Sequence, residues 1–182
     1  MEMRVDFYKL DGGRLCGWVA TPPKRRSFQG TTMASGRDIP HDLGQFVVEL
    51  ALDLHEGFWG LLANGATFKS VPGRRLTKPG RQRVREHCEA LNAVEGIVNE
   101  HVTAWRRRVA TPVGQALDAM YARWRALPIG VPLSLEWPVR HLPSSTATIG
   151  RSRSRAQLSH SIAVRSRKRN DGSERSGRSS SS

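Results

Sequence analysis

Residues 3–9 set Met3, Val5 and Phe7 against Arg4, Asp6 and Tyr8, the two-residue period of a strand with one face buried. Asp11-Gly12-Gly13 follows and supplies a turn able to take positive backbone angles. Leu15, Gly17 and Val19 then alternate with Cys16, Trp18 and Ala20, so a second strand is expected to pair back on the first as a hairpin. Thr21-Pro22-Pro23-Lys24-Arg25-Arg26 interrupts that strand, and residues 27–33 are expected to add a third.

The period then changes to that of helices. Leu43, Phe46, Val47, Leu50 and Leu54 recur at helical spacing behind Pro40, with Asp38 and Asp42 placing negative charge at the positive end. A helix over 40–52 is predicted. Gly57-Phe58-Trp59-Gly60 opens a short second helix that Asn64-Gly65 should end, with Phe58, Trp59 and Phe68 expected in the core. Residues 71–80, rich in Pro, Gly and Arg, read as an exposed loop. A long third helix is predicted over 81–108, with Val84, Cys88, Leu91, Val94, Val98, Val102 and Trp105 on one face and a bend at Gly96. Arg106, Arg107 and Arg108 complement its negative end. Thr111-Pro112 caps a fourth helix carrying Leu117, Met120, Tyr121, Trp124 and Leu127, stopped by Pro128 and expected to pair with the third as an antiparallel hairpin.

Strand period returns in Val131, Leu133, Leu135 and Trp137, with Pro132 and Pro138 among the intervening positions, as suits a sheet edge. The pattern implies an α+β fold. A small antiparallel sheet, built from the N-terminal hairpin and this late edge strand, packs on three to four helices. After Pro138 the apolar period stops and Arg, Ser and Gly dominate. Such a composition buries too little apolar surface to offset its ordering entropy. The expected organisation is one domain over 1–138 and a disordered tail over 139–182.

Composition adjusts this picture in three ways. The net charge of +13 suggests nucleic acid, yet residues 1–138 hold 19 basic against 14 acidic side chains and residues 139–182 hold 10 against 2. Most of the excess lies in the tail. Residues 46–54 form the longest apolar stretch and are cut by Glu49 and Asp53, far short of the ~20 apolar residues a membrane span needs. The N-terminus lacks an unbroken apolar stretch of the signal-peptide kind, so the expected location is the cytoplasm. Cys16 and Cys88 form no C-x-x-C pair, which argues against a disulfide framework or a cysteine zinc site. Both are expected to be buried thiols.

The chemistry-bearing candidates form one stripe. His41, Gln45 and Glu49 fall at i, i+4 and i+8 and share a helix face. The helix N-terminus disfavours a charged His41, whereas Asp38 and Asp42 favour it. A histidine at position 45 would complete half of a helical zinc site, but glutamine is a weak metal ligand. The plainer reading is a polar face of an amphipathic helix with Glu49 hydrogen-bonded or solvated. Neither a phosphate-binding Gly-rich loop nor a Gly-x-Ser-x-Gly nucleophile motif is present.

The segment Asp38-Ile-Pro-His-Asp-Leu-Gly-Gln-Phe-Val-Val-Glu49, with Leu-Asp-Leu-His-Glu-Gly-Phe-Trp-Gly60 and Asn-Gly-Ala-Thr-Phe68 behind it, resembles a family of uncharacterised bacterial proteins, many of them actinobacterial. In that family histidine often stands where this chain has Gln45. The resemblance spans about residues 3–138 and implies no established activity.

Four functional expectations follow. The first is a non-catalytic domain that binds a protein or small-molecule partner. The second is a degenerate metal-dependent hydrolase using His41 and Glu49, with His41, Gln45 and Glu49 as the candidate ligands of a divalent metal. The third is salt-sensitive, sequence-indifferent nucleic-acid binding through the tail, which offers no aromatic side chain for base stacking. The fourth makes the tail the accidental product of a shifted reading frame or of read-through.

Overall fold

The structure, a computed structural model, describes residues 1–30, 33–34, 38–71, 75–140 and 142. Expectations about the tail beyond these positions lie outside the described residues.

Strand β1 (Glu2–Leu10) leads through a turn over Asp11–Gly13 into β2 (Leu15–Thr21). The turn holds Asp11, Gly12 and Gly13 at positive φ, and Arg14 pairs with Asp11 across it at 2.8 Å. The short strands β3 (Phe28–Gln29) and β4 (Met33–Ala34) both pair with β2. Where one third strand over 27–33 is expected, these two occupy opposite halves of β2: β3 lies beside Val19 and Ala20, and β4 beside Leu15 and Cys16.

The late strand β5 (Leu133–Pro138) pairs antiparallel with β1, giving the order β3-β2-β1-β5 with β4 also on β2. It lies at the end of that order, an edge strand as expected, and of the two prolines only Pro138 falls within it. Pro132 and Val131 precede it, and Val131 is exposed rather than part of the alternating core set. Register aligns Leu133 with Phe7 and Phe7 with Trp18, so an apolar row crosses three strands.

Helix α1 (His41–Ala51) lies on that row, and every residue from Leu43 to Glu49 is buried. Phe46 meets Phe7, Trp59 and Trp137 edge-on at centroid distances of 5.9, 5.4 and 5.3 Å, and two later helices, α4 (Cys88–Arg106) and α5 (Pro112–Ala126), also contact α1. This corrects the amphipathic reading: α1 is a central helix, Gln45 and Glu49 are interior, and Leu50 is exposed. Helix α2 (Phe58–Ala63) ends at Asn64-Gly65 as expected. Gly65 takes φ +92°, and the amides of Gly65 and Ala66 reach the carbonyls of Leu62 and Leu61, closing the last turn in the left-handed form that glycine favours.

The predicted long helix is two. Helix α3 (Lys78–Glu86) starts at Thr77, whose hydroxyl accepts from the Gly80 amide at 3.0 Å, with proline in the first turn. The expected loop over 71–80 therefore ends three residues early. Helix α4 (Cys88–Arg106) follows after a break at His87, not at Gly96. The buried His87 ring pairs with Glu56 at 2.9 Å, and its backbone at φ −110°, ψ 15° serves as the end of one helix and the start of the next. Cys88 just beyond the break is exposed, against the expectation of a buried thiol, while Cys16 is buried as expected. Burial pushes the Cys16 thiol up to about 12.

Helix α5 (Pro112–Ala126) is capped by Thr111, which accepts from Gly114 at 2.9 Å, and it contacts α4 and α1. Splitting the predicted third helix brings the count among the described residues to five helices on one antiparallel sheet, an α+β fold.

Candidate functional site

The stripe His41, Gln45, Glu49 runs from surface to core. His41 opens α1 with about half of its side chain exposed (52%), Gln45 is 3% exposed, and Glu49 is fully enclosed. His41 and Gln45 line a cavity of about 350 Å³ together with Trp18, Asp42, Phe58 and Glu95, and with Met33, Ser70 and Val71. Glu49 does not line it.

Glu49 instead holds two elements together. Its Oε1 accepts from the Phe58 amide at 3.0 Å and its Oε2 from the Trp59 amide at 3.0 Å. These are the first two amides of α2, which lack partners inside their own helix. Gly57 makes the approach possible: a Cβ there would fall 2.4 Å from the Glu49 carboxyl carbon. Burial pushes the Glu49 carboxyl up to about 8, against the lowering pull of hydrogen bonds from Gln45, Trp59 and Phe58, and Glu95 nearby adds to the rise.

Gln45 links this interior group to the cavity. Its Nε2 donates to Glu49 Oε1 at 2.8 Å and to Glu95 Oε1 on α4 at 2.9 Å. The bond to Glu95 favours this amide orientation, because the opposite one would point an acceptor at that carboxylate.

Asp42 fixes the mouth. Trp18 Nε1 on β2 donates to its Oδ2 at 2.8 Å, its backbone carbonyl accepts from Trp59 Nε1 at 3.2 Å, and His41 Nδ1 pairs with its Oδ1 at 3.1 Å. The competition at the helix N-terminus goes to Asp42. Its hydrogen bond raises the His41 pKa above 6.5, against burial and the more distant charge of Arg106.

Among the described residues no three His, Cys, Asp or Glu side chains gather closely enough to hold a metal ion. Gln45 turns its amide nitrogen rather than its oxygen toward Glu49, and both Glu49 oxygens already accept N–H groups.

Trp18, Phe58 and Glu95 belong to the site although sequence reading put the two aromatics only among strand and core positions and passed over Glu95. No local signal marks Glu95, since it joins Gln45 from 50 residues away. Asp42 was legible as a helix-terminal charge but not as a cavity wall.

None of the protein-family models, curated proteins or solved structures compared with the chain matches it. Among the described residues no helix is long and apolar enough to cross a membrane.

Proposed function

We propose that the chain is a non-catalytic binding domain that takes a small molecule in the cavity between α1, α4 and β2. The observation that carries this reading is the combination of an aromatic and apolar lining with a few fixed polar groups, the usual make-up of a small-molecule site. Its polar groups are tied to one another: His41 to Asp42, Trp18 to Asp42, Gln45 to Glu95. That web positions a ligand. Glu49, the other residue of the hydrolase expectation, serves α2 rather than the cavity. A cytoplasmic setting belongs to the same proposal and is supported by two cysteines that stay free. So does the kinship with uncharacterised actinobacterial proteins, which rests on the 38–68 segment that builds α1 and α2.

Thermal-shift screening of the full chain against a metabolite library tests the reading. A ligand should raise the melting temperature, and Met33→Trp, which fills the cavity from an exposed position on β4, should abolish that rise while leaving the unliganded melting temperature near its original value. Turnover of ester, amide or phosphate substrates that disappears in His41→Ala would overturn it.

A further inference from the structure

We propose that this cavity selects a small organic cation bearing N–H groups, a primary ammonium on an apolar body. The inference rests on the reading of the cavity as a ligand site and adds the ligand's chemical class. Three side-chain nitrogens of the lining face carboxylates. Trp18 Nε1 donates to Asp42, Gln45 Nε2 gives its two hydrogens to Glu49 and Glu95, and His41 Nδ1 pairs with Asp42. What these groups leave on offer is acceptors: the Asp42 and Glu95 carboxylates, and the oxygen of Gln45, whose nitrogen is held by Glu49 and Glu95.

Gln45 is 3% exposed, and turning its amide would set its oxygen against the Glu95 carboxylate. It is therefore a fixed acceptor in the wall. An anionic ligand would meet the Asp42 and Glu95 carboxylates, and the imidazole beside them is already paired with Asp42. A neutral apolar ligand would strip water from three acceptors and return nothing. An ammonium supplies both the donors and the opposite charge.

The rest of the lining suits the same class. Trp18 and Phe58 stand 6.0 Å apart at 75° and form an aromatic corner of the kind that attracts cations. Met33 and Val71 give the apolar body a place to lie. A volume of about 350 Å³ sits near the low end for ligand sites, so one ring or a short chain fills it.

The experiment is a titration of the isotope-labelled full chain with benzylammonium, benzyl alcohol and benzoate, three molecules with one body and different head groups. The signals followed by NMR are the Trp18 indole N–H and the Gln45 side-chain amide. Benzylammonium should move both signals and bind at least about tenfold more tightly than benzyl alcohol, with benzoate silent. Glu95→Gln should weaken benzylammonium by about tenfold and leave benzyl alcohol unchanged. Equal binding of the ammonium and the alcohol, or a preference for benzoate, would overturn the cation and leave the cavity standing as a ligand site. Silence of both signals toward all three molecules would overturn the cavity as well.

Discussion

The two ends of the α1 stripe carry titratable side chains to opposite purposes. His41 and Glu49 share one helix face two turns apart. His41 is half exposed on the wall of a cavity, while Glu49 is enclosed and hydrogen-bonded to the first two amides of α2. Gln45 between them touches both worlds, donating inward to Glu49 and sideways to Glu95. A functional stripe read from helical spacing is thus not one site. What decides each residue's role is the element that closes over it, and α2 closes only one end.

Removing the enclosed end should give the largest effect. Glu49→Ala strands the part-buried Phe58 amide, the buried Trp59 amide and one hydrogen of Gln45 at once. Since each buried unsatisfied group costs about 1–3 kcal/mol, chemical denaturation should show a loss of roughly 3 kcal/mol or more. Gly57→Ala attacks the same contact from the other side, because its Cβ would collide with the Glu49 carboxyl group. Its expected cost is about 1–3 kcal/mol, typical of overpacking. A Glu49→Ala variant as stable as the wild type would erase the contrast between the two ends.

The pH dependence sharpens the contrast. The Glu49 carboxyl rises on folding from its ordinary value of 4.5 to about 8, so the folded protein holds this proton more tightly than the unfolded chain. The associated stability is fully present below 4.5 and is lost as pH rises toward about 8. Melting temperatures of the wild type should fall across that window. Glu49→Gln cannot ionise, so its melting temperature should vary less with pH there, although the carboxamide offers one acceptor oxygen where the carboxyl group offers two.

The hairpin, the edge strand and the Asn64-Gly65 helix end were readable in the sequence because each is encoded locally. An alternation of Met3, Val5 and Phe7 needs no knowledge of the partner strand to declare a buried face. The features that were not readable depend on partners distant in the chain. Gln45 and Glu49 look like a solvated face until α2 and α4 are placed over them. The break at His87 is invisible to a pattern in which Val84, Cys88 and Leu91 keep helical spacing across it, since the ring's partner Glu56 lies 31 residues earlier. Cys88 was misassigned for the same reason, because the face of an unbroken helix would have carried it inward. The stripe was found, but its division into a cavity wall and a helix cap was not.

The smallest effect should come from the open end. His41 pairs with Asp42 at 3.1 Å, and that hydrogen bond raises its pKa above 6.5. The pairing therefore stabilises the fold below 6.5, and this contribution is lost as pH rises through the raised folded value. Glu49 and His41 thus share the sign of their pH dependence and should differ in size. A side chain half exposed to solvent is screened, and pairs of this kind contribute about 0–1 kcal/mol. His41→Ala should lower stability at pH 6 by less than about 0.5 kcal/mol and by still less at pH 8. Asp42 would keep its bond from Trp18, so the cavity wall should persist. A larger loss, comparable with that of Glu49→Ala, would mean that His41 fastens the start of α1 as Glu49 fastens α2, and the two ends would no longer be different in kind.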